Sequence, residues 1–416
     1  MDKKQKIALG KEIATQIATH ISQVWPGFTP TPFILFDDKS QVAITTEPGQ
    51  KINLGERYTQ AEENVWVAEG RDPLLGGCMP WTHEGTRYAI WDTRTWPEDV
   101  SLATASDGVA HEMFHVHQDA FTDTGDGNDS IALHYPFTPK VVALLIEENR
   151  LLLEIFNEPT KATITRNMSK IISMRTEREA IVGSENFIYD TTNETSEGTA
   201  TYAGIRMSAL VQGTSAFEVA KAGIHVQDLR QYDVMLSHYR RRCYATGLAL
   251  CLAADVLWPQ WQTEWVASGQ RIYCWIADKF EGDIAPVTVT PEALAQGEAL
   301  LTAFYAGKQE KLAAFLDQPL TVIEGNVKMT GINPMNVVCH NGQCLHGFGW
   351  LNIGGQNQII EASYITEYGD NFWQITRAIF PKRDVTQDGD TITIEGLGTF
   401  PGRVEPMANG QRCIIT

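Results

Sequence analysis

The sequence is short of positive charge for its length. Its 416 residues include 33 Lys and Arg against 51 Asp and Glu, which gives a formal net charge of -18 at pH 7. Nucleic acids and anionic membrane surfaces both attract clustered cations. The composition therefore predicts neither a nucleic-acid partner nor membrane binding. An excess of negative charge of this kind is typical of a protein that stays in solution.

Long apolar runs and a disulfide framework are also missing. The longest apolar stretch, residues 246–259, is too short to cross a bilayer and includes Asp255. No apolar segment follows the basic residues 1–6; isoleucines at helical spacing predict an amphipathic helix ending near Pro26 instead of a signal peptide. Seven cysteines are few and odd in number for a chain this long. These features together predict a cytoplasmic protein.

The pattern of the sequence changes twice along the chain. Short alternating runs separated by Pro, Gly and Asp predict a sheet of short strands over residues 29–100. Helical spacing follows and includes a helix at Pro291–Leu316, after which alternation returns. We therefore expect an α+β fold with a C-terminal β-rich domain. The predicted parts are 1–105, the N-terminal helix and β-rich part of a catalytic domain; 106–282, its helical metal-binding part; and 286–416, a C-terminal helix with a β-rich accessory domain.

An H-E-x-x-H motif at His111–His115 carries the clearest chemical signal. We expect a helix here, capped by Ser106-Asp107 and continuing through Phe121. Side chains four residues apart share a helix face, so both imidazoles reach one cation, while Glu112 lies about 100° round the helix. Zinc lowers the pKa of a bound water to about 7, and a neighbouring carboxylate can take its proton. The motif predicts a Zn²⁺ site with two histidine ligands and Glu112 as the general base.

A third ligand has to come from outside this motif, because a catalytic zinc site has three protein ligands and one open position. His117 lies about 240° from His111 on the same helix and points away. The metzincin pattern fails, since Gln118 stands where it requires Gly and Phe121 where it requires His. A carboxylate on a later helix is the better candidate.

Residues Asn193–Tyr202 include an E-G-x-A-x-Y string that resembles the glutamate-ligand helix of gluzincin metallopeptidases. The resemblance implies that Glu197 is the third ligand of a zincin-like catalytic domain acting on a peptide or small amide. The interval from His115 to Glu197 is much longer than in the aminopeptidase branch, and a helical insertion over residues 139–184 would fill it. The G-x-M-E-N string of that branch is missing. The likeness covers residues 29–280 loosely and is specific only at its short motifs.

A second string, Tyr244-Ala245-Thr246-Gly247, is similar to the Y-x-K-G string of gluzincin aminopeptidases. The resemblance implies that the Tyr244 hydroxyl stabilises an oxyanion, a role for a preorganised donor. Thr246 replaces the lysine of that string, and His238 and Tyr239 remain alternative donors. Residues 86–94 are the candidate edge strand for pairing with a substrate backbone.

Two weaker clusters lie elsewhere. Asn341-Gly342 predicts a tight hairpin that places Cys339 opposite Cys344, with His346 on the same face. Such a face is either a cysteine pair or a second metal site. Residues 123–129 are rich in oxygen ligands but lack EF-hand spacing, so a solvated loop is expected.

The favoured function is a zinc-dependent hydrolase, and within that class a metallopeptidase. Two alternatives stay open: a zinc amidase or esterase acting on other substrates, and a non-catalytic binding or regulatory protein built on a peptidase-like scaffold. The sequence does not predict the substrate, endo- versus exopeptidase action or the oligomeric state.

Overall fold

A computed structural model describes residues 1–47, 52–72, 74–122, 130–333, 336–369 and 371–416. The oxygen-rich loop expected at residues 123–129 lies outside these ranges. The chain divides into two compact units, the first comprising residues 1–127, 147–231 and 241–288 and the second comprising residues 128–146, 232–240 and 289–416. The three-part division made from the sequence stays a prediction.

The structure is a mixture of helices and strands, with a small N-terminal sheet, a helical middle and a β-rich C-terminal region, as expected. The α-helices are α1 (Lys3–Val24), α2 (Leu102–Gln118), α3 (Ser130–Leu133), α4 (Pro139–Asn157), α5 (Lys161–Val182), α6 (Ser184–Asn193), α7 (Thr199–Gln212), α8 (Ala216–Ala222), α9 (Ile224–Asp228), α10 (Tyr232–Ser237), α11 (Tyr239–Leu257), α12 (Trp261–Ser268), α13 (Ile272–Lys279) and α14 (Pro291–Leu316). A 3₁₀ turn at Thr93–Thr95 precedes α2, and a π-helical turn at Glu194–Gly198 connects α6 to α7.

The strands form three sheets within the described ranges. They are β1 (Phe33–Phe36), β2 (Ser40–Ile44), β3 (Thr59–Glu62), β4 (Val65–Glu69), β5 (Met79–His83), β6 (Thr86–Asp92), β7 (Leu320–Gly325), β8 (Val327–Ile332), β9 (Val337–His340), β10 (Gln343–His346), β11 (Gly349–Ile353), β12 (Gln356–Ile360), β13 (Tyr364–Tyr368), β14 (Ile375–Pro381), β15 (Val385–Asp388), β16 (Thr391–Ile394), β17 (Gly398–Met407) and β18 (Gly410–Ile415). Their orders are β3-β4-β2-β1-β6-β5, β15-β16-β17-β18-β7-β14-β13-β10-β9, and β12-β11-β8.

The first unit packs helices against the N-terminal sheet. Helix α1 begins at a capping box between Asp2 and Gln5 and buries Ile13, Ile17 and Val24, the face that the isoleucine spacing predicts. Strand β6 pairs with β1 on one side and with β5 on the other. The expectation that residues 86–94 form the sheet edge is therefore wrong. The edge strand is β5, and its proline suits a strand with one unpaired side.

Helix α2 begins earlier than the sequence suggested. The Ser101 hydroxyl accepts a hydrogen bond from the Thr104 N–H, so Ser101 is the N-cap and the predicted cap Ser106-Asp107 lies inside the helix. The helix also ends at Gln118 and not at Phe121. Ser106 is completely buried, so it is not an exposed cap at the beginning of the helix.

The second unit is a β-rich body with helix α14 packed on it. Leu312 and Phe315 of α14 join an apolar cluster with Val322, Ile365 and Ile379. The predicted helix at Pro291–Leu316 is confirmed to the residue, with Thr290 as its N-cap. Within the described chain, no helix combines the length and apolar character that a bilayer crossing requires.

The predicted hairpin is present in the second unit. Asn341 and Gly342 both have positive φ, 49° and 76°, as a two-residue turn between β9 and β10 requires. Cys339 and Cys344 are directly opposite and form a disulfide. The buried His346 bonds through Nε2 to the Thr366 hydroxyl. The idea of a second metal site on this face is wrong, because disulfide sulfurs are not thiolate ligands.

Candidate metal centre

Helix α2 holds the H-E-x-x-H motif with one face in the core. Val109, Met113 and Phe114 are at most 1% exposed and anchor the helix. The His111 and His115 side chains keep 13% and 14% of their surface accessible. The two imidazoles therefore face a partly open site while the rest of the motif fixes the helix.

Glu197 comes from the π-helical turn at Glu194–Gly198 and reaches both histidines. The Nε2 atoms of His111 and His115 lie 3.1 Å apart. The Glu197 Oε2 atom lies 3.5 Å from the first of these nitrogens and 3.4 Å from the second. These three side chains form a group that could hold a metal ion. π-Helical turns often occur at functional sites because they redirect single side chains.

The spacing of these donor atoms fits a tetrahedral cation. At zinc–ligand distances of about 2.0–2.2 Å, neighbouring atoms of a tetrahedron lie about 3.3–3.6 Å apart. The observed separations run from 3.1 to 3.5 Å. The donor set also matches one that catalytic zinc sites use: two imidazole nitrogens and one carboxylate oxygen, with the fourth position open. The residues present fit zinc in number, type and spacing.

Gln118 connects the two segments that supply these donors. Its Oε1 accepts from His115 Nδ1 at 2.8 Å, which leaves the His115 Nε2 lone pair directed at the group. Its Nε2 donates to the backbone oxygens of Thr195 and Ser196 and to the Thr199 hydroxyl, at 3.3, 2.9 and 2.6 Å. One buried amide thus orients a histidine and holds the turn that carries Glu197.

Burial and neighbouring charges together shift the pKa values of residues in and beside this group. Burial lowers the pKa of His115, but the Glu197 carboxylate outweighs this effect and raises that pKa to about 9. Burial also raises the pKa of Glu112, and the two histidines oppose that rise. Glu112 is 6% exposed and adjoins His111 on α2. A carboxyl with a raised pKa beside a cation site is suited to taking up and returning a proton.

Asp107 lies one helical turn before His111 and belongs to the helix cap predicted from the sequence. Burial raises its pKa to about 7, and the electrostatic pull of His111 opposes the rise. A Cβ on Gly204 of α7 would lie 2.2 Å from the Asp107 carboxylate oxygen. The missing side chain at Gly204 therefore makes room for this carboxyl where α2 and α7 touch.

Tyr244 lies beside the group, next to two imidazole rings. Its ring is nearly parallel to that of His111, at 6.0 Å between centroids, and to that of His225, at 5.4 Å. Burial, followed by His111 and Arg241, lowers the pKa of His225 to about 4, so this imidazole is neutral at neutral pH. Sequence reasoning missed His225, because a single histidine on a short helix carries no motif.

The alternative donors His238 and Tyr239 belong to the second unit. There the Tyr239 ring packs on Tyr135 and Phe137, with centroids 4.2 and 5.3 Å away. Aromatic packing of this kind is a structural role for a tyrosine.

A buried ionic network fixes the other end of the π-helical turn. Arg175 donates to both oxygens of Glu194, at 2.6 and 2.7 Å, and also to Glu148. The Thr246 hydroxyl of α11 donates to Glu194 at 2.6 Å. Although burial opposes it, the surrounding arginines hold the pKa of Glu148 well below its usual range. The Glu148 carboxylate therefore pairs with arginines and not with the histidines of the group.

Two glycines bring α11 against the turn. A Cβ on Gly198 would lie 2.4 Å from the Gly247 Cα, and a Cβ on Gly247 would lie 2.4 Å from the Glu194 carbonyl oxygen. Only glycine permits this approach of two backbones. The contact joins the segment after Glu197 to the helix that carries Tyr244.

Comparison with known proteins gives no relative. No family model, no curated protein and no solved structure matches this chain. The gluzincin resemblance thus stays a prediction that rests on its short motifs.

The structure brings together the residues singled out from the sequence as ligands, base and oxyanion donor. His111, His115 and Glu197 converge, and Glu112 and Tyr244 lie beside them. It adds Gln118, Asp107 and His225 around this group. The D-x-x-x-H spacing of Asp107 and the H-x-x-Q spacing of Gln118 were visible signals in the sequence, whereas His225 had none.

Proposed function

We propose that this protein is a zinc-dependent hydrolase, and specifically a metallopeptidase. The observation that carries the proposal is the convergence of His111, His115 and Glu197, with donor atoms 3.1 to 3.5 Å apart. Glu112 lies on α2 with the two histidines but is not one of the three donor residues. A structural metal site has no use for such a general base, so Glu112 favours a catalytic site.

The three donor residues would hold zinc, which supplies a water of pKa about 7 and polarises the substrate carbonyl. Glu112 takes the proton of the attacking water and later gives it to the leaving nitrogen. Its buried position favours this exchange, because burial brings the pKa of a carboxyl nearer to neutrality.

Tyr244 is the proposed oxyanion donor. Its ring lies nearly parallel to the rings of His111 and His225, and contacts with both would orient the phenol before substrate arrives. The neutral His225 ring is the alternative donor, since an imidazole of pKa about 4 carries one N–H at neutral pH.

The edge strand β5 supports peptide as the substrate class. Its outer side has no strand partner within the described chain. Cys78, immediately before β5, interacts electrostatically with Glu112, so the beginning of this edge lies near the proposed base. An extended peptide can pair with an exposed strand edge through main-chain hydrogen bonds.

The first experiment compares wild type with Glu112→Gln. Metal content is measured by elemental analysis, and hydrolysis is followed on a quenched-fluorescent peptide library, with and without a chelator. We expect wild type and variant each to hold one zinc, and the variant to lose hydrolysis by about 10²- to 10⁴-fold. Glu98→Gln, which removes an exposed carboxylate, is the matched control and should keep full activity.

The results separate the candidate functions. Full peptide hydrolysis by Glu112→Gln contradicts the mechanism. Wild-type protein that binds zinc yet cleaves only esters or non-peptide amides identifies a different hydrolase, and wild-type protein that holds no zinc and cleaves nothing favours the binding or regulatory alternative.

A further inference from the structure

The second unit contains a cavity that the proposed hydrolase does not use. Its volume is about 420 Å³. We call it the Lys308 cavity, and its lining includes Phe137, Phe304, Tyr305, Lys308, His340 and Tyr368. Every lining residue belongs to the second unit. The volume lies within the range of small-molecule sites, about 300–1,000 Å³.

Lys308 is a half-buried cation for which the described part of the chain supplies no anionic partner. No carboxylate of the described residues lies within ion-pairing distance of its ammonium group, which instead sits 4.2 Å from the centre of the Phe304 ring. Burial alone lowers the pKa of Lys308 to about 8, so the group is still charged at pH 7. The lining of the cavity, as far as the structure describes it, therefore presents a cation and no carboxylate.

The walls of the cavity are mostly aromatic. Phe137 and Phe304 meet edge to face at 6.0 Å, and Tyr305 adjoins both Phe304 and His340. Flat apolar walls of this kind bind flat apolar bodies through area and ring geometry.

Two polar side chains of the wall are bonded to each other. His134 bonds through Nδ1 to the Ser130 carbonyl oxygen and through Nε2 to the Tyr368 hydroxyl, at 2.9 and 2.7 Å. Among the lining residues that the structure describes, Lys308 is the only lysine or arginine. It is therefore the group that would pair with an anionic ligand.

We propose that the Lys308 cavity binds a small carboxylate with an aromatic body. Lys308 pairs with the carboxylate, and the aromatic wall covers the ring. One cation matches the single charge of a carboxylate, whereas a phosphate dianion would keep one charge unpaired away from water, which is costly. The proposal does not depend on the hydrolase, because none of its residues belongs to the metal centre.

The test uses two pairs of probes that differ only in charge. They are trans-cinnamate with cinnamamide and indole-3-acetate with indole-3-acetamide, titrated against the full chain at pH 7 by calorimetry or ligand-observed NMR. A charge-assisted bond to a desolvated ammonium predicts that the acid of a pair binds about 10- to 100-fold more tightly than its amide.

Variants then assign the effect to the cavity. Lys308→Met keeps an unbranched apolar stem and should bring the acid to within twofold of its amide, while Lys311→Met, an exposed lysine on the same helix, should preserve the difference. Unchanged thermal unfolding of both variants verifies the fold. The proposal is overturned if neither acid binds at 5 mM, if acid and amide bind wild type equally, or if Lys308→Met retains the preference for the acid.

Discussion

Replacing Gln118 with leucine removes the connection between the two segments of the metal centre. The substitution deletes the acceptor for His115 Nδ1 and the donor to the Ser196 carbonyl, bonds of 2.8 and 2.9 Å. Loss of a partner that orients a histidine ligand typically weakens metal binding about 10- to 100-fold. Since tenfold corresponds to about 1.4 kcal/mol, the expected loss in zinc-binding free energy is about 1.4–2.8 kcal/mol.

The same substitution should also destabilise the metal-free protein. Each buried hydrogen bond that is lost costs about 0.5–1.5 kcal/mol, and the Gln118 amide donates to two carbonyl oxygens and a hydroxyl. Gln118→Glu separates the two roles, because its carboxylate still accepts from His115 but cannot donate to the turn. We expect Gln118→Glu to lose stability as the leucine variant does and yet to bind zinc more tightly than that variant.

Zinc affinity is measured by competition with a chromophoric chelator, and stability by urea denaturation of the metal-free protein. Gln41→Leu is the matched control: Gln41 is a fully buried glutamine that bonds to Gly70 and Tyr58 in the N-terminal sheet. It should cost stability and leave zinc affinity unchanged. If Gln118→Leu binds zinc within twofold of wild type, the proposed role of Gln118 is wrong.

Three further predictions concern charge and catalysis. Because the pKa of His115 is raised to about 9, a proton occupies this ligand below that pH, so zinc affinity should rise with pH. Calorimetry in two buffers at pH 7.5 should detect at least about one proton released per zinc, since ionisation of a zinc-bound water of pKa about 7 would add to the release; no proton release would contradict the raised pKa of His115. Arg175→Met leaves the buried Glu194 carboxylate without its cation, although Glu148 keeps Arg178 and Arg242, and it should lower the free energy of unfolding by about 3–5 kcal/mol. Arg150→Met, at a half-exposed ion pair, should cost under about 1 kcal/mol in the same urea titration. Tyr244→Phe should lower kcat about 10²- to 10³-fold at unchanged zinc affinity, and Tyr239→Phe should not; the reverse result would exchange the two assignments.

Local patterns in the sequence predicted much of the secondary structure. The helix at Pro291–Leu316 has a threonine cap and a proline in its first turn, and the Asn341-Gly342 turn has the residues that positive φ demands. The H-E-x-x-H spacing likewise fixes which side chains share a helix face. These features depend on neighbours in the sequence, so they can be read from it directly.

Features that depend on distant segments could not be predicted in the same way. Gln118 bonds to a turn about 80 residues further along the chain. Ser101, and not Ser106, caps helix α2, because Ser106 is buried by packing. The position of β5 at the sheet edge follows from strand order, which alternation does not encode. Glu148 pairs with arginines of another helix, and no spacing rule predicts that pairing.

The contact between Gly198 and Gly247 has a consequence for how this centre could be transferred or altered. It brings a ligand-bearing turn and a tyrosine-bearing helix together through main-chain atoms, and the Thr246–Glu194 hydrogen bond adds a side-chain link. A side chain at either glycine would push the two segments apart and so move Glu197 relative to Tyr244. A design that transfers the centre to another scaffold should therefore keep the segments around Gly198 and Gly247 together as one unit.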